Sequence, residues 1–571
     1  MDITKMIESG KKKPFWLFLF TLVFLSLFMV FCFGSSSSYS GFDFPFHYRR
    51  LYTLIDALKH GVYPSFYVDF SNVEGYGYFI KGFYSDIIMV PFAIVGLFSN
   101  VYFAYDLMIF TMTVLCGIIM YYAVNVIYRN AYTASIAAIL YTFAVYRLYD
   151  IYQRGALAEA LSFTFLPLVF LGLYYVLIGN YRKWYILAIG YSLLIYTHTI
   201  ASVLMFVVLL ILFAIYIKRI INEPKRLFYL LLAGVVTVLL TAYYILPMLE
   251  QLSSNSFYLD SRDPGGGAGY GKVGFDYIFW GFLSGVAYPT HELWSGVGII
   301  LTLCLCFRFF IRGQKTKLLR SADIFAIMGL LFILSTSRIF PWGRFPFSLL
   351  SFIQYPWRLY EFVSLFFAIA GAYYISSLFV KPKQRTLVMS FIILATMFTI
   401  YIHSENYKSL DPDGGKPLSV RQSLVEPDYE RGYNLIGREY LPSKLIDISY
   451  IHDRKERVDH RNSDTQISEL RREYNKTLFK VALSKSDTLE LPLLYYLGYS
   501  VTLDNEKLQI NQSDMGLIEV VAPRSGDIKA YYAGTTLQKN SFYISLLSSI
   551  ALGIYIFLRR RQRTDETKFA R

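Results

Sequence analysis

The chain has 571 residues, 55% of them apolar, 18% aromatic and only 17% charged. A mean hydropathy of +0.40 excludes an ordinary water-soluble globular domain. The formal charge of +14 falls in short Lys/Arg clusters between apolar stretches, which is the positive-inside signature of a polytopic membrane protein. It is not a phosphate-tracking stripe, so nucleic acid is excluded as the partner.

Lys11, Lys12 and Lys13 precede an apolar stretch from Phe15 to Gly34, long enough to cross about 30 Å of hydrocarbon. Lysines before a span hold that end in the cytoplasm. No small-residue cleavage site follows, so this stretch reads as a retained anchor. Further spans are expected near 101–127, 131–148, 160–178, 184–199, 201–217, 227–248, 292–311, 321–337, 357–379, 386–403 and 541–558. Residues 86–98 are apolar but too short for a span. If they do not cross, the basic groups at 129, 182–183, 218–226, 308–320, 381–385 and 559–563 all share the side of the N-terminal lysines. The expectation is therefore about 12 spans with both termini cytoplasmic, and a re-entrant or interfacial helix at 86–98.

Residues 35–100, the turns near 149–159 and 338–356, and the loop 249–291 then face outward. So does the polar segment 404–540, whose runs LELPLLYYLGYSVTLD, GLIEVVAP and DIKAYYAGT alternate like strands. A C-terminal extracytoplasmic β-sandwich is expected there, tethered by the last span. Within it, 453–475 is charged and reads as a partly helical connection. The four cysteines all lie in apolar segments, so no disulfide framework exists outside.

The ionisable residues gather at the outward ends of spans. In GFDFPFHYRR (41–50), Asp43 precedes Phe44-Pro45 and reads by itself as a helix cap. His47 four residues on stacks over it in a helix, with Arg49 and Arg50 following. That company suits a carboxylate base beside an anion site. In YRLYDIYQRGALAEAL, Asp150 and Arg154 share a helical face and Glu159 opens the next span. They read either as an interfacial ion pair or as function, the default for charge at membrane depth. In IQYPWRLYEF, Arg358 at a helix start suits a phosphate, and pairing with Glu361 is its plain alternative. His198 ends the fifth span and reads more simply as a hydrogen-bonded structural residue. The run DPGGGAGYG (263–271) lacks the Lys-Ser/Thr of a P-loop and reads as a flexible loop, a candidate substrate gate.

An outward transferase has no nucleotide supply and needs an activated donor delivered in the membrane, with a carboxylate base and cations for the leaving phosphate. The order of these features resembles the GT-C glycosyltransferase superfamily. More narrowly, D-x-P-F-H-x-R, GxYPSF, NVEGYGYFIKGFYSD, YDxxxRGALAE and QYPWR resemble a bacterial membrane family called "6-pyruvoyl-tetrahydropterin synthase-related". REYLP and YYLGYSVTLDNEKL are similar to the external domain of YfhO-type enzymes. The pterin name implies no pterin chemistry, since the loops hold no zinc-binding histidine triad.

The resemblance implies transfer of a sugar from a polyprenyl-phosphate donor to an envelope glycan acceptor at the outer face of a bacterial plasma membrane. By it, Asp43 takes the role of catalytic base with His47 beside it, and Asp150 or Glu159 supplies the second acidic motif. Arg358, Arg154 and Arg49 would bind donor phosphate, and His198, Glu74 and Tyr84 are candidate substrate contacts. Some GT-C enzymes hold a divalent metal between such acids. The missing D-x-D pair in the second turn leaves no cofactor certain and a metal open. Two rivals remain: a flippase or transporter of a lipid-linked glycan, and a non-catalytic envelope-assembly protein.

Overall fold

A computed structural model describes residues 12–36, 43–62, 68–70, 73–258, 268, 271–285, 296–313, 316–409 and 438–569. The YPSF motif, most of the glycine run 263–271 and the segment 410–437 lie outside the described residues. The chain divides into two compact units. One holds Met1–His47, Tyr102–Ala233 and Pro264–Val425, the other Tyr48–Val101, Gly234–Asp263 and Glu426–Arg571.

In chain order the helices used below are α1 (Lys12–Phe33), α2 (Phe44–Lys59), α3 (Val90–Phe98), α4 (Val101–Tyr128), α5 (Ala131–Thr142), α6 (Leu157–Leu177), α7 (Tyr185–Thr197), α8 (Thr199–Ile215), α9 (Lys225–Ser254), α10 (Ile299–Cys306), α11 (Lys317–Thr336), α12 (Tyr360–Leu378), α13 (Pro382–Ser409) and α14 (Thr536–Phe569). Among the described residues, 9 helices are long and apolar enough to cross a membrane. They include α5 with its continuation to Gln153, and α12 counted from Pro356. The other three expected spans fall on shorter helices. α7 has 13 residues and α8 has 17, because His198 between them is extended, at φ −152 and ψ 107. The third is the apolar helix Ile299–Phe310, which begins with α10. Within 86–98 the helix α3 has 9 residues.

Burial sorts these helices. In α13 and α14 only 17% of the apolar window is buried, and Leu387, Phe391, Leu394 and Phe398 stand 65–72% exposed. Surface this apolar is covered by a bilayer, not by water. The opposite holds for α6 and the span containing α12, 89% and 83% buried. In the first unit α12 packs against α5, α10 and α11, and α6 against α7. Small residues allow this approach: a Cβ on Gly371 of α12 would lie 2.6 Å from the Cβ of Cys304 on α10.

The second unit contains two antiparallel sheets. Strands β1 (Asp459–His460), β4 (Asp487–Leu494), β8 (Leu517–Ala522) and β7 (Ile510–Gln512) form one, in the order β1-β4-β8-β7. The other runs β2-β3-β9-β5-β6, from β2 (Gln466–Glu473), β3 (Lys476–Ala482), β9 (Gly526–Tyr532), β5 (Tyr499–Leu503) and β6 (Glu506–Lys507). The three alternating runs quoted above are strands, and the β5–β6 hairpin turns at Asp504-Asn505, both at positive φ, the geometry of a tight primed turn. Two boundaries differ from expectation. α13 carries helix on to Ser409, and 453–475 keeps only the end of a short helix, Ser449–Arg454, before strands β1 and β2. Charge on β2, an edge strand, hides the alternation that reveals the central ones.

Candidate functional site

The second acidic motif is built on an irregular helix. After α5 a short helix Val145–Leu148 runs into one wide π-helical turn, Tyr149–Gln153, where the Arg154 amide donates to the Tyr149 carbonyl at 2.9 Å. Such turns contain an extra residue and recur at functional sites. This one carries Asp150 and delivers Arg154 at its end.

Gly155 follows at φ +73, where a Cβ would lie 2.7 Å from the Phe44 amide nitrogen. Only glycine allows the first motif to approach this closely. The Asp43 amide donates to the Arg154 carbonyl at 2.9 Å, and the His47 amide donates to the Asp43 carbonyl at 3.2 Å. Asp43 therefore stands at the cap position of α2, while its carboxylate Oδ2 lies 3.7 Å from Arg154 Nε. Gly155→Ala combines a disfavoured φ, worth about 1–2 kcal/mol, with a backbone clash. We expect a lower melting temperature for the purified variant, and an unchanged one would show that the two motifs can separate freely.

Arg154 is the hub. Its Nη1 pairs with Glu159 Oε2 at 2.8 Å and with Asp150 Oδ1 at 3.4 Å. Glu159, 1% exposed, also lies 3.4 Å from Arg358 Nε and accepts a 2.6 Å bond from the Tyr146 hydroxyl. Arg358 sits in the 3₁₀ turn Pro356–Leu359 that opens α12, and its Nη2 donates to Gln354 Oε1 at 3.0 Å. Gln354 is held at φ 64, strained for a residue with a side chain. The plain alternative partner, Glu361, instead accepts a hydrogen bond from Ser162. The reason lies in packing: α6 brings Glu159 to the guanidinium from a different helix.

Buried polar atoms here without a hydrogen-bond partner among the described residues include Arg358 Nη1, Asp150 Oδ2, His198 Nδ1 and the Tyr149 hydroxyl. Each such atom costs about 1–3 kcal/mol unless something meets it. His198, at the α7–α8 junction, lies in the field of Glu159, Arg154 and Arg358. Asp43 is the accessible acid, its side chain 25% exposed against 0% for Asp150 and 1% for Glu159. Burial raises its carboxyl above the ordinary carboxylate value, against the pull of Arg154 and Arg358.

The structure thus gathers Asp43, Asp150, Arg154, Glu159, Arg358 and His198. His47 is buried beside the Phe46 ring. Arg49, Glu74 and Tyr84 belong to the second unit, where Glu74 pairs with His452 Nδ1 at 3.0 Å. Tyr84 there packs edge-on to Tyr440, and its ring lies 5.2 Å from the Arg50 guanidinium. Arg50 itself is tied to Asp86 at 2.5 Å. Tyr146 and Gln354 are additional members, each four residues before a named one, a spacing that could have found them. Ser162, three residues after Glu159 in α6, carries the same kind of helical spacing. A divalent ion does not fit this donor set: Asp150 and Glu159 both bind Arg154, and among the described residues no group of three His, Cys, Asp or Glu is placed to hold a metal.

No family model matches the chain. It is similar to an uncharacterized protein of Lactococcus lactis subsp. cremoris (strain MG1363), 24% identical over 615 aligned residues that cover 98% of each chain.

Proposed function

We propose that this chain is a GT-C-type membrane glycosyltransferase, moving a sugar from a polyprenyl-phosphate donor to an envelope glycan at the outer face of a bacterial plasma membrane. The observation that carries the reading is the buried, unpartnered Nη1 of Arg358 in the same ion-pair network as the accessible Asp43. An unmet guanidinium nitrogen suits a phosphate oxygen, and a carboxyl with raised pKa suits a general base. In the reaction the acceptor hydroxyl oxygen bonds to the anomeric carbon as the bond from that carbon to the phosphate oxygen breaks. Its proton passes to Asp43, and polyprenyl phosphate leaves with its charge held by Arg358. A flippase would spread ionisable groups along its spans. Here they gather at helix ends, which favours a one-sided enzyme.

Arg358→Ala is expected to weaken binding of a polyprenyl-phosphate sugar by about 10- to 100-fold, the scale of one charge-assisted bond of roughly 1.5–3 kcal/mol. Arg358→Lys recovers only part, since an ammonium lacks the planar fork. Equal donor affinity in wild type and Arg358→Ala, measured by titration in detergent, would end this assignment.

The reading includes twelve spans with cytoplasmic termini. Single cysteines in 263–271 and 410–530 should then react with a membrane-impermeant maleimide in intact cells, while those in 219–225 and 381–385 stay silent. Labelling of the second group would invert the topology.

A further inference from the structure

The segment between α11 and the turn carrying Arg358 is apolar where a soluble loop would be polar. Ile339, Phe345, Leu349, Phe352 and Tyr355 are 66%, 81%, 65%, 50% and 38% exposed, although none lies in a candidate span. The segment is ordered by its own contacts. The Trp342 indole donates to the Ser335 carbonyl at 2.8 Å, and Phe340 packs edge-on against Phe347 with centroids 4.6 Å apart. Residues Phe347–Ile353 form a 3₁₀ helix, in which positions three apart eclipse one another. Leu349 and Phe352 therefore make one stripe; past the helix end, where Gln354 is at φ 64, Tyr355 is the next exposed apolar side chain before Arg358. Tyr355 stacks on Trp357 at 4.2 Å, and the Arg358 guanidinium lies 5.8 Å from its ring.

We propose that residues 338–355 lie in the bilayer interface and form the entry for a lipid phosphate. The isoprenoid tail runs along Leu349, Phe352 and Tyr355 while the phosphate meets Arg358. Two independent observations point to this occupant. The segment joins two candidate membrane spans, Lys317–Thr336 and Pro356–Leu378, so its exposed apolar side chains stand at a membrane boundary, flanked by exposed Arg338 and Arg344. The stripe also ends at a cation, 8% exposed, with a buried nitrogen that no described residue satisfies. An apolar path leading to a desolvated cation complements an anionic lipid, not a free anion or a neutral glycan. The inference deepens the proposed donor site and rests on the phosphate role of Arg358, but not on sugar transfer.

The test uses the full chain in phosphatidylglycerol-containing nanodiscs with a diazirine-tailed polyprenyl monophosphate. Photolabel should map to 338–355 and resist excess inorganic phosphate. It should fall by at least about tenfold in the double variant Leu349→Gln/Phe352→Gln, the loss of roughly one buried apolar side chain. Both positions are exposed, so the core is untouched. Label mapping elsewhere, displacement by inorganic phosphate, or wild-type labelling of the double variant overturns the entry path. Wild-type labelling of Arg358→Ala would instead remove the phosphate role of that arginine, so the two failures are separable.

Discussion

Asp43→Asn is expected to leave the protein folded and inserted while sugar transfer falls by about 10²-fold or more, the usual scale for a lost general base. Asparagine caps a helix as well as aspartate, so α2 should still start at Phe44. Arg154 keeps Asp150 and Glu159 as counter-ions, so its charge stays compensated. The raised carboxyl pKa sets the signs. A folded-state pKa above the unfolded one means that ionised Asp43 lowers stability as pH rises through it. The neutral variant should therefore melt no lower than wild type at neutral pH. Activity runs the other way, because the base must be ionised. Wild-type transfer should decline as pH falls through that raised value, and the residual activity of the variant should lack this limb. Wild-type turnover by purified Asp43→Asn would end the base assignment and move it to Asp150 or Glu159.

Glu159→Ala should do the opposite, damaging the fold before the chemistry can be judged. Glu159 meets Arg154, Arg358 and the Tyr146 hydroxyl at once, all in a buried place. Removing one partner of a buried pair leaves uncompensated charge and costs about 3–5 kcal/mol. We expect poor expression and a markedly lower melting temperature in detergent. Glu159→Gln should retain the Tyr146 bond and fall between the two. A melting temperature for Glu159→Ala equal to wild type would mean that the two guanidinium groups find other anions, and that Glu159 does not hold the network together.

Much of this site is legible in the amino-acid order because ionisable residues are conspicuous among apolar ones. Asp150, Arg154, Glu159 and Arg358 stand out for that reason alone. The partner of Arg358 is not legible, since Glu361 one turn away competes with Glu159 from another helix, and only packing decides. The α7–α8 break is legible, since the spans expected at 184–199 and 201–217 meet there and His198 ends the first of them; the extended backbone of that one residue is not. Strands β4, β5, β8 and β9 follow from alternation and from the Asp504-Asn505 turn. β2 does not, since its exposed positions carry charge and its ladder is interrupted by a register shift between Ser468 and Arg471.

The π turn at Tyr149–Gln153 has a consequence for how this chain can change. Each residue of an α-helix advances the next by roughly 100°, so an inserted residue alters the phase of everything beyond it. Deleting one residue between Tyr149 and Gln153 would restore a regular helix; Asp150 and Arg154, then three apart, would still share a face, but Arg154 and Gly155 would change phase relative to α5. Gly155 would then no longer meet Phe44. Substitution within these five positions is a local event, whereas a one-codon deletion rotates one half of the network against the other. Length, more than side-chain identity, is the rigid variable of this turn.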